Sequence, residues 1–98
     1  MAYSVQQIKF ELISYIKEFG GDFTQWTVGT AEDAPEALFE TYEIDPVNDA
    51  WLWKPALTPA AARLVTNWLV ERHGVQRAAV NEGACVLMFK KGKTCSGT

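Results

Sequence analysis

The sequence predicts a small α/β (α+β) domain in which three helices alternate with three short strands, in the order αβαβαβ. Three observations lead there. Two segments of about four turns repeat apolar residues at helical spacing and are closed by glycine, and a shorter one opens with its own cap. Three apolar runs of strand length follow the helices one by one, an alternation that builds a small sheet with helices packed on it. The chain has 98 residues, 48% hydrophobic and 12% aromatic, which suffices for one core and falls short of the length at which chains divide into domains. Residues 1–91 are therefore expected to form a single domain, with 92–98 a flexible C-terminal tail.

The elements follow in order. Ser4 with Gln7 three residues on makes a capping box, and Val5, Ile8, Leu12, Tyr15, Ile16 and Phe19 recur at helical spacing up to Gly20-Gly21, so a helix is expected over 5–19. Gln6, Lys9, Glu11, Lys17 and Glu18 take its watered face. Residues 23–30 alternate large apolar with polar side chains, the pattern of a half-buried strand ending near Gly29. Asp33-Ala-Pro-Glu36 joins an N-cap acid to an early proline, which starts a short helix carrying Leu38, Phe39 and Tyr42 inward and stopping before Asp45-Pro46. The run 50–55 puts Trp51 and Trp53 on one strand face and Leu52 on the other. Thr58-Pro59 opens the third helix, with a stripe of Ala61, Leu64, Val65, Trp68 and Leu69 ending at Arg72-His73-Gly74. Residues 75–83 read as irregular, and the apolar run 84–89 as the third strand.

Composition narrows the function classes. The bulky apolar content offsets chain entropy, so the chain folds rather than staying disordered. No window approaches the roughly 18 apolar residues of a membrane span, and the N-terminus lacks the basic start and unbroken apolar stretch of a leader. The expectation is a cytoplasmic, soluble protein. Two cysteines, Cys85 in an apolar run and Cys95 in the tail, do not make a disulfide framework and read as free thiols.

Charge is distributed unevenly. From Glu18 to Trp53 there are nine acids and no Lys or Arg, whereas from Lys54 onward seven bases face two acids; the net charge is −3. Glu36, Glu40 and Glu43, spaced four and three apart, form a carboxylate ridge on the second helix, continued by Asp45 and Asp49. Such a ridge is either an ordinary solvated face or a docking surface for a basic protein partner. The basic half offers the alternative: Arg63, Arg72, Arg77, Lys90 and Lys91 as a nucleic-acid-binding surface.

Catalytic and cofactor signals are weak. His73, the one histidine, sits at a helix C-terminus, where it complements the dipole. With Cys85 and Cys95 it shows none of the paired spacings of a zinc site, so no metal is expected. Neither cysteine stands at a helix start that would lower its pKa. Gly29 and Gly20-Gly21 do not form a phosphate-binding loop, and no nucleotide or other cofactor is expected. Trp26, Trp51 and Trp53 read mainly as core, and a small-ligand pocket lined by Trp51, Trp53 and Trp68 is a third possibility.

Taken together, Trp26-Thr-Val-Gly29-Thr-Ala-Glu-Asp33, Leu38-Phe39-Glu40, Trp51-Leu-Trp53 and Thr58-Pro-Ala-Ala-Ala62-Arg-Leu-Val65 resemble the GIY-YIG nuclease-like superfamily, in its small stand-alone bacterial and phage members. The likeness spans roughly residues 22–72. It implies a strand motif at Thr27-Val28-Gly29, followed by one helix bearing an arginine and a later helix bearing a metal-binding glutamate. At the matching positions this chain has Thr27 for the motif tyrosine, Ala37 for the arginine and Thr66 for the glutamate. The family's first strand has no counterpart before Trp26, and 85–89 would fill its place in a rearranged order. The chemistry such a nuclease needs is absent at all three positions. The resemblance thus implies a catalytically degenerate scaffold serving as a binding or regulatory module, with a protein as partner. The competing expectation is a nucleic-acid binder, or a weak metal-dependent nuclease, working through the basic half.

Overall fold

Ser4 opens helix α1 (Val5–Glu18) with a complete capping box: its hydroxyl accepts from the Gln7 N–H (3.2 Å), while the Gln7 side-chain oxygen accepts from the Ser4 N–H (3.5 Å). These bonds come from a computed structural model of the chain, which describes residues 2–78 and 82–90. The helix ends at Gly20-Gly21, whose φ of 110° and 82° only glycine adopts without strain, and the Gly21 N–H returns to the Ile16 carbonyl (2.9 Å). Ile8, Leu12 and Ile16 are fully buried. Phe19, expected in the same stripe, is instead 46% exposed, because it is the C-cap and its backbone has left the helix.

The first strand is shorter than its alternation suggests. Asp22 accepts from both the Thr24 N–H (3.1 Å) and the Thr24 hydroxyl (2.6 Å), and this local capping winds Phe23–Gln25 into a 3₁₀ turn. The two hydrogen bonds, the hydroxyl one foremost, hold the Asp22 carboxyl below its ordinary pKa. Strand β1 is Thr27–Ala31. Asp33 then caps helix α2 (Ala34–Glu36), accepting from the Glu36 N–H (3.1 Å) with Pro35 in the first turn. The helix widens at once into a π-helical turn, Ala37–Thr41, closed by the Tyr42 N–H on the Ala37 carbonyl (2.9 Å). It ends at Thr41 with Tyr42 as its C-cap, before Asp45-Pro46 as expected; Glu43 then takes a left-handed φ of 56° and Ile44 is buried.

Strand β2 (Ala50–Pro55) turns Trp51 and Trp53 to one face and Leu52 to the other, as alternation predicts. Thr58 caps helix α3 (Pro59–His73), accepting from the Ala61 N–H (3.0 Å), and Gly74 ends it in a left-handed cap. Its buried stripe is Ala62, Val65, Thr66 and Leu69. Leu64, expected inside, is 61% exposed, lying about 200° round the helix from Ala62. Thr66 can take a core position because its hydroxyl donates to the Ala62 carbonyl (3.0 Å) and so carries no unmet donor inward.

Among the described residues the sheet has four strands, not three. Residues Gln76–Arg77, within the stretch expected to be irregular, form β3, which pairs in parallel with β1 through the Gln76 N–H on the Trp26 carbonyl and the Ala78 N–H on the Val28 carbonyl (both 2.9 Å). Both β3 side chains are exposed, so no hydrophobic pattern announces the strand. Strand β4 (Cys85–Lys90) lies between β1 and β2, antiparallel to each, and the order is β2-β4-β1-β3. This explains its unalternated apolar run, since a central strand is covered on both faces. Val86 and Met88 join Val28 and Trp26 under α1 and α3; Leu87 and Phe89 join Ala31, Leu38 and Ile44 under α2. Lys91, Cys95 and the tail 92–98 lie outside the described residues.

Candidate functional site

The sheet's C-terminal connections bring four carboxylates to one place. Glu32 and Asp33 leave the end of β1, Glu36 sits in α2, and Glu82 returns just before β4; together with Ala31, Ala37 and Thr41 they line an open groove of about 310 Å³. Gly83 sets this convergence. It is buried, and a Cβ there would collide with the backbone of Ala31 and Glu32, so glycine alone lets the two chain segments touch and places Glu82 beside the acids of the β1–α2 turn. Among the described residues no Lys or Arg forms a salt bridge with these four carboxylates.

The expected ridge is present only in part. Glu36, Glu40 and Glu43 are all exposed, but Glu43 stands beyond the helix end in its left-handed conformation, so the regular four-and-three spacing breaks there. Asp45 and Asp49 have another task. The Asp45 carboxylate accepts from the N–H groups of Val47 (2.9 Å) and Asn48 (3.2 Å) and from the Asn48 amide (2.8 Å), and Asp49 accepts from the Asp45 N–H (2.9 Å). These bonds, led by that from Val47, hold the Asp45 carboxyl below its ordinary pKa and tie both acids into the turn before β2. Glu32, Asp33 and Glu82 are the groove acids that spacing on one helix did not single out; in the sequence Glu32 shows only as part of the long acidic stretch, and Asp33 as part of that stretch and as the N-cap of α2.

Of the basic candidates, Arg63 and Arg77 line one small pocket, Arg72 lines a groove beside Lys9, Leu64 and Trp68, and Lys90 lines a third depression beside Phe19 and Trp51. Lys90 also has a structural role: its ammonium donates to the Phe19 carbonyl (3.3 Å) at the C-terminus of α1 and lies 5.6 Å from the centre of the Trp26 ring. Lys91 falls outside the described residues.

His73 stacks on Phe23 (centroids 4.7 Å, planes 18° apart) and meets Trp68 edge-on at 4.8 Å, which is packing at a helix end. The described residues contain no cluster of His, Cys, Asp and Glu able to hold a metal ion. Cys85 is half-buried, with its thiol 3.8 Å from the Glu32 carbonyl; burial foremost pushes its pKa up and the nearby Asp33 charge adds to this, against a lowering from the Ala34 backbone. It is a protonated, weakly nucleophilic thiol at neutral pH. The three tryptophans do not share a pocket, because Trp51 and Trp53 pack with the α2 face and Trp68 with the α1–α3 face. No helix among the described residues is long and apolar enough to cross a membrane.

The positions matched to the GIY-YIG pattern are likewise divided. Thr27 is half-buried at the start of β1, Ala37 is buried where α2 passes into its π-helical turn, and Thr66 is buried on α3 across the sheet from Ala37. No protein-family model matches the chain, and comparison with curated proteins and with solved structures returns no match either.

Proposed function

We propose that this chain is a non-catalytic binding module that engages a basic segment of a protein partner through the acidic face formed by the β1–α2 turn, α2 and Glu82. The observation that carries the reading is the groove in which Glu32, Asp33, Glu36 and Glu82 converge without a basic partner among the described residues. Like charges gathered at the surface attract an oppositely charged partner over about a Debye length, ~8 Å at physiological salt, and raise its rate of encounter. Glu40 and Glu43 extend the field along α2. The resemblance to a nuclease scaffold with Thr27, Ala37 and Thr66 at the matched positions supports a role without catalysis.

The test uses an arginine- and lysine-rich peptide as the probe, with affinity measured at two salt concentrations. Charge reversal at Glu36, Glu40 and Glu82 to Lys is expected to weaken capture roughly tenfold or more while lowering the thermal midpoint by no more than about 8 °C, the cost of a basic residue in the first turn of α2 behind the Asp33 cap. Unchanged capture would remove the assignment. A salt-sensitive shift of labelled DNA, abolished when Arg63, Arg72, Arg77, Lys90 and Lys91 are replaced, would put the nucleic-acid reading in its place.

A further inference from the structure

Strand β2 is an edge of the sheet, paired with β4 on one side only. The register fixes which of its main-chain groups face outward. The Ala56 N–H donates to the Ala84 carbonyl (2.7 Å), so in this antiparallel ladder residues 50, 52 and 54 exchange their bonds with β4 and the residues between them turn away from it. The outward positions are Trp51, Trp53 and Pro55. Pro55 has no N–H, and its carbonyl accepts from the Tyr3 N–H (2.8 Å). On the other flank the Asp49 N–H donates to the Asp45 carbonyl (2.9 Å). What stays open, among the described residues, is the N–H and C=O of Trp51 and of Trp53, placed symmetrically about Leu52.

An open row of this kind is a template for another strand, and its symmetry selects a second copy of this chain. A two-fold axis at Leu52 sets Trp51 opposite Trp53 of the second copy and satisfies every open group of both. Shifting the register by two residues leaves either the Trp53 carbonyl or both Trp51 groups without a partner, because the Asp49 N–H and the Pro55 carbonyl are already engaged. The side chains agree with the register centred on Leu52. On one face the half-buried Trp51 and Trp53 form aromatic cross-strand pairs; on the other Leu52 meets Leu52, and Lys54 falls opposite Ala50. No like charges are opposed. Antiparallel order brings Lys54 of each copy, its ammonium 4.7 Å from the Tyr3 ring centre, beside the acidic turn of Asp45 and Asp49 that precedes Ala50 in the other. Tyr3 closes the edge only beyond this stretch, at Pro55 and Ala56.

We infer that the chain forms a two-fold dimer through antiparallel pairing of its β2 edges, which joins the two sheets into one. With two bonding residues per copy the interface is smaller than that of a stable dimer, and a Kd on the order of 100 µM is expected. This edge shares no residue with the acidic groove, so the two readings stand or fall separately.

The full chain is tested by sedimentation equilibrium and by amide hydrogen exchange, each at about 20 µM and about 1 mM, below and above that Kd. A dimer mass is expected at the higher concentration. The Trp51 and Trp53 amides should exchange about fourfold more slowly there, while those of Leu52 and Lys54, bonded to β4, are slow at both. Cysteine cross-linking reads the register. In a Cys85→Ala, Cys95→Ala background, Leu52→Cys sets two thiols across a non-hydrogen-bonded pair with Cα atoms about 4.5 Å apart, within disulfide reach, whereas Lys54→Cys sets them roughly 14 Å apart. Leu52→Cys should therefore give the oxidised dimer about tenfold faster or more. A monomer mass at the higher concentration, or association that grows past the dimer, overturns the proposal. Trp51 and Trp53 amides protected equally at both concentrations would mean that the edge is covered within one chain, which also overturns it, and equal cross-linking of the two cysteine variants would remove the register.

Discussion

Replacing Gly83 with alanine tests the contact on which the acidic groove depends. The added methyl would approach the Ala31 carbonyl carbon and oxygen and the Glu32 nitrogen more closely than real Cβ atoms come to any neighbour, and all three are backbone atoms of the end of β1 and its turn. A flexible side chain could swing aside; a peptide unit in a paired strand cannot. Gly83 is not among the residues with positive φ, so its backbone conformation is open to alanine and the whole cost is steric. Overpacking of this kind costs about 1–3 kcal/mol and sometimes more, and rigid backbone on the other side points to the upper end. For a domain of this size each kcal/mol lowers the thermal midpoint by about 4–8 °C, so a fall of roughly 12–24 °C is expected in a melt followed by circular dichroism. Gly74→Ala is the contrasting control: the nearest atom to its Cβ is the Thr24 methyl at 3.9 Å, an ordinary contact, but its φ of 74° lies in the left-handed region, so only conformational strain of ~1–2 kcal/mol arises there. A Gly83→Ala midpoint within about 4 °C of the parent would mean that the two segments separate at little cost, and the account of how Glu82 reaches the groove would fall.

Two further outcomes follow from buried and capping polar groups. Trp26 is fully buried and its indole N–H has no hydrogen-bond partner among the described residues, although its ring packs edge-on with Tyr15 at 5.7 Å. An orphaned donor costs about 1–3 kcal/mol, so Trp26→Phe should destabilise by less than ~1.5 kcal/mol in urea unfolding despite the lost volume, where Trp26→Ala should cost about 3–5 kcal/mol; a phenylalanine variant as damaged as the alanine one would show that the N–H is satisfied. Asp22 and Asp45 have pKa values lowered in the folded state, so the stability they contribute is complete above their unfolded values and is lost as pH falls through the folded ones. The thermal midpoint should therefore decline below about pH 4, and Asp22→Asn combined with Asp45→Asn should flatten that decline; an equally steep acid limb in the double variant would contradict the assignment.

What could be seen in the sequence was mostly what short-range chemistry decides. The caps at Ser4, Asp33 and Thr58 and the stops at Gly20-Gly21 and Gly74 are set by hydrogen bonds and backbone freedom within four residues, and they stand where the sequence puts them. The faces of β2 followed from alternation alone. The errors share a cause as well. Asp22 and Thr24 overrode the alternation of 23–26 with a local turn, and Leu64 lost its place because Thr66 could satisfy its own hydroxyl and pack inward. For the candidate site, the acids of 32–43 were visible as a charge run, while the role of Asp45 and Asp49 in holding a turn was not, because it depends on which backbone N–H groups a carboxylate meets.

The sequence by itself determined the helix boundaries at their capped ends, the mixed α/β class and the separation of acidic from basic halves, since each depends on neighbours along the chain. Tertiary structure alone decided that β4 occupies the middle of the sheet, that the polar pair Gln76–Arg77 is a strand, and that Glu82 joins Glu32 while Arg63 joins Arg77. Those facts rest on strand partnership and on a glycine-permitted backbone contact between residues some fifty positions apart, and no local pattern specifies which distant edge a strand will find.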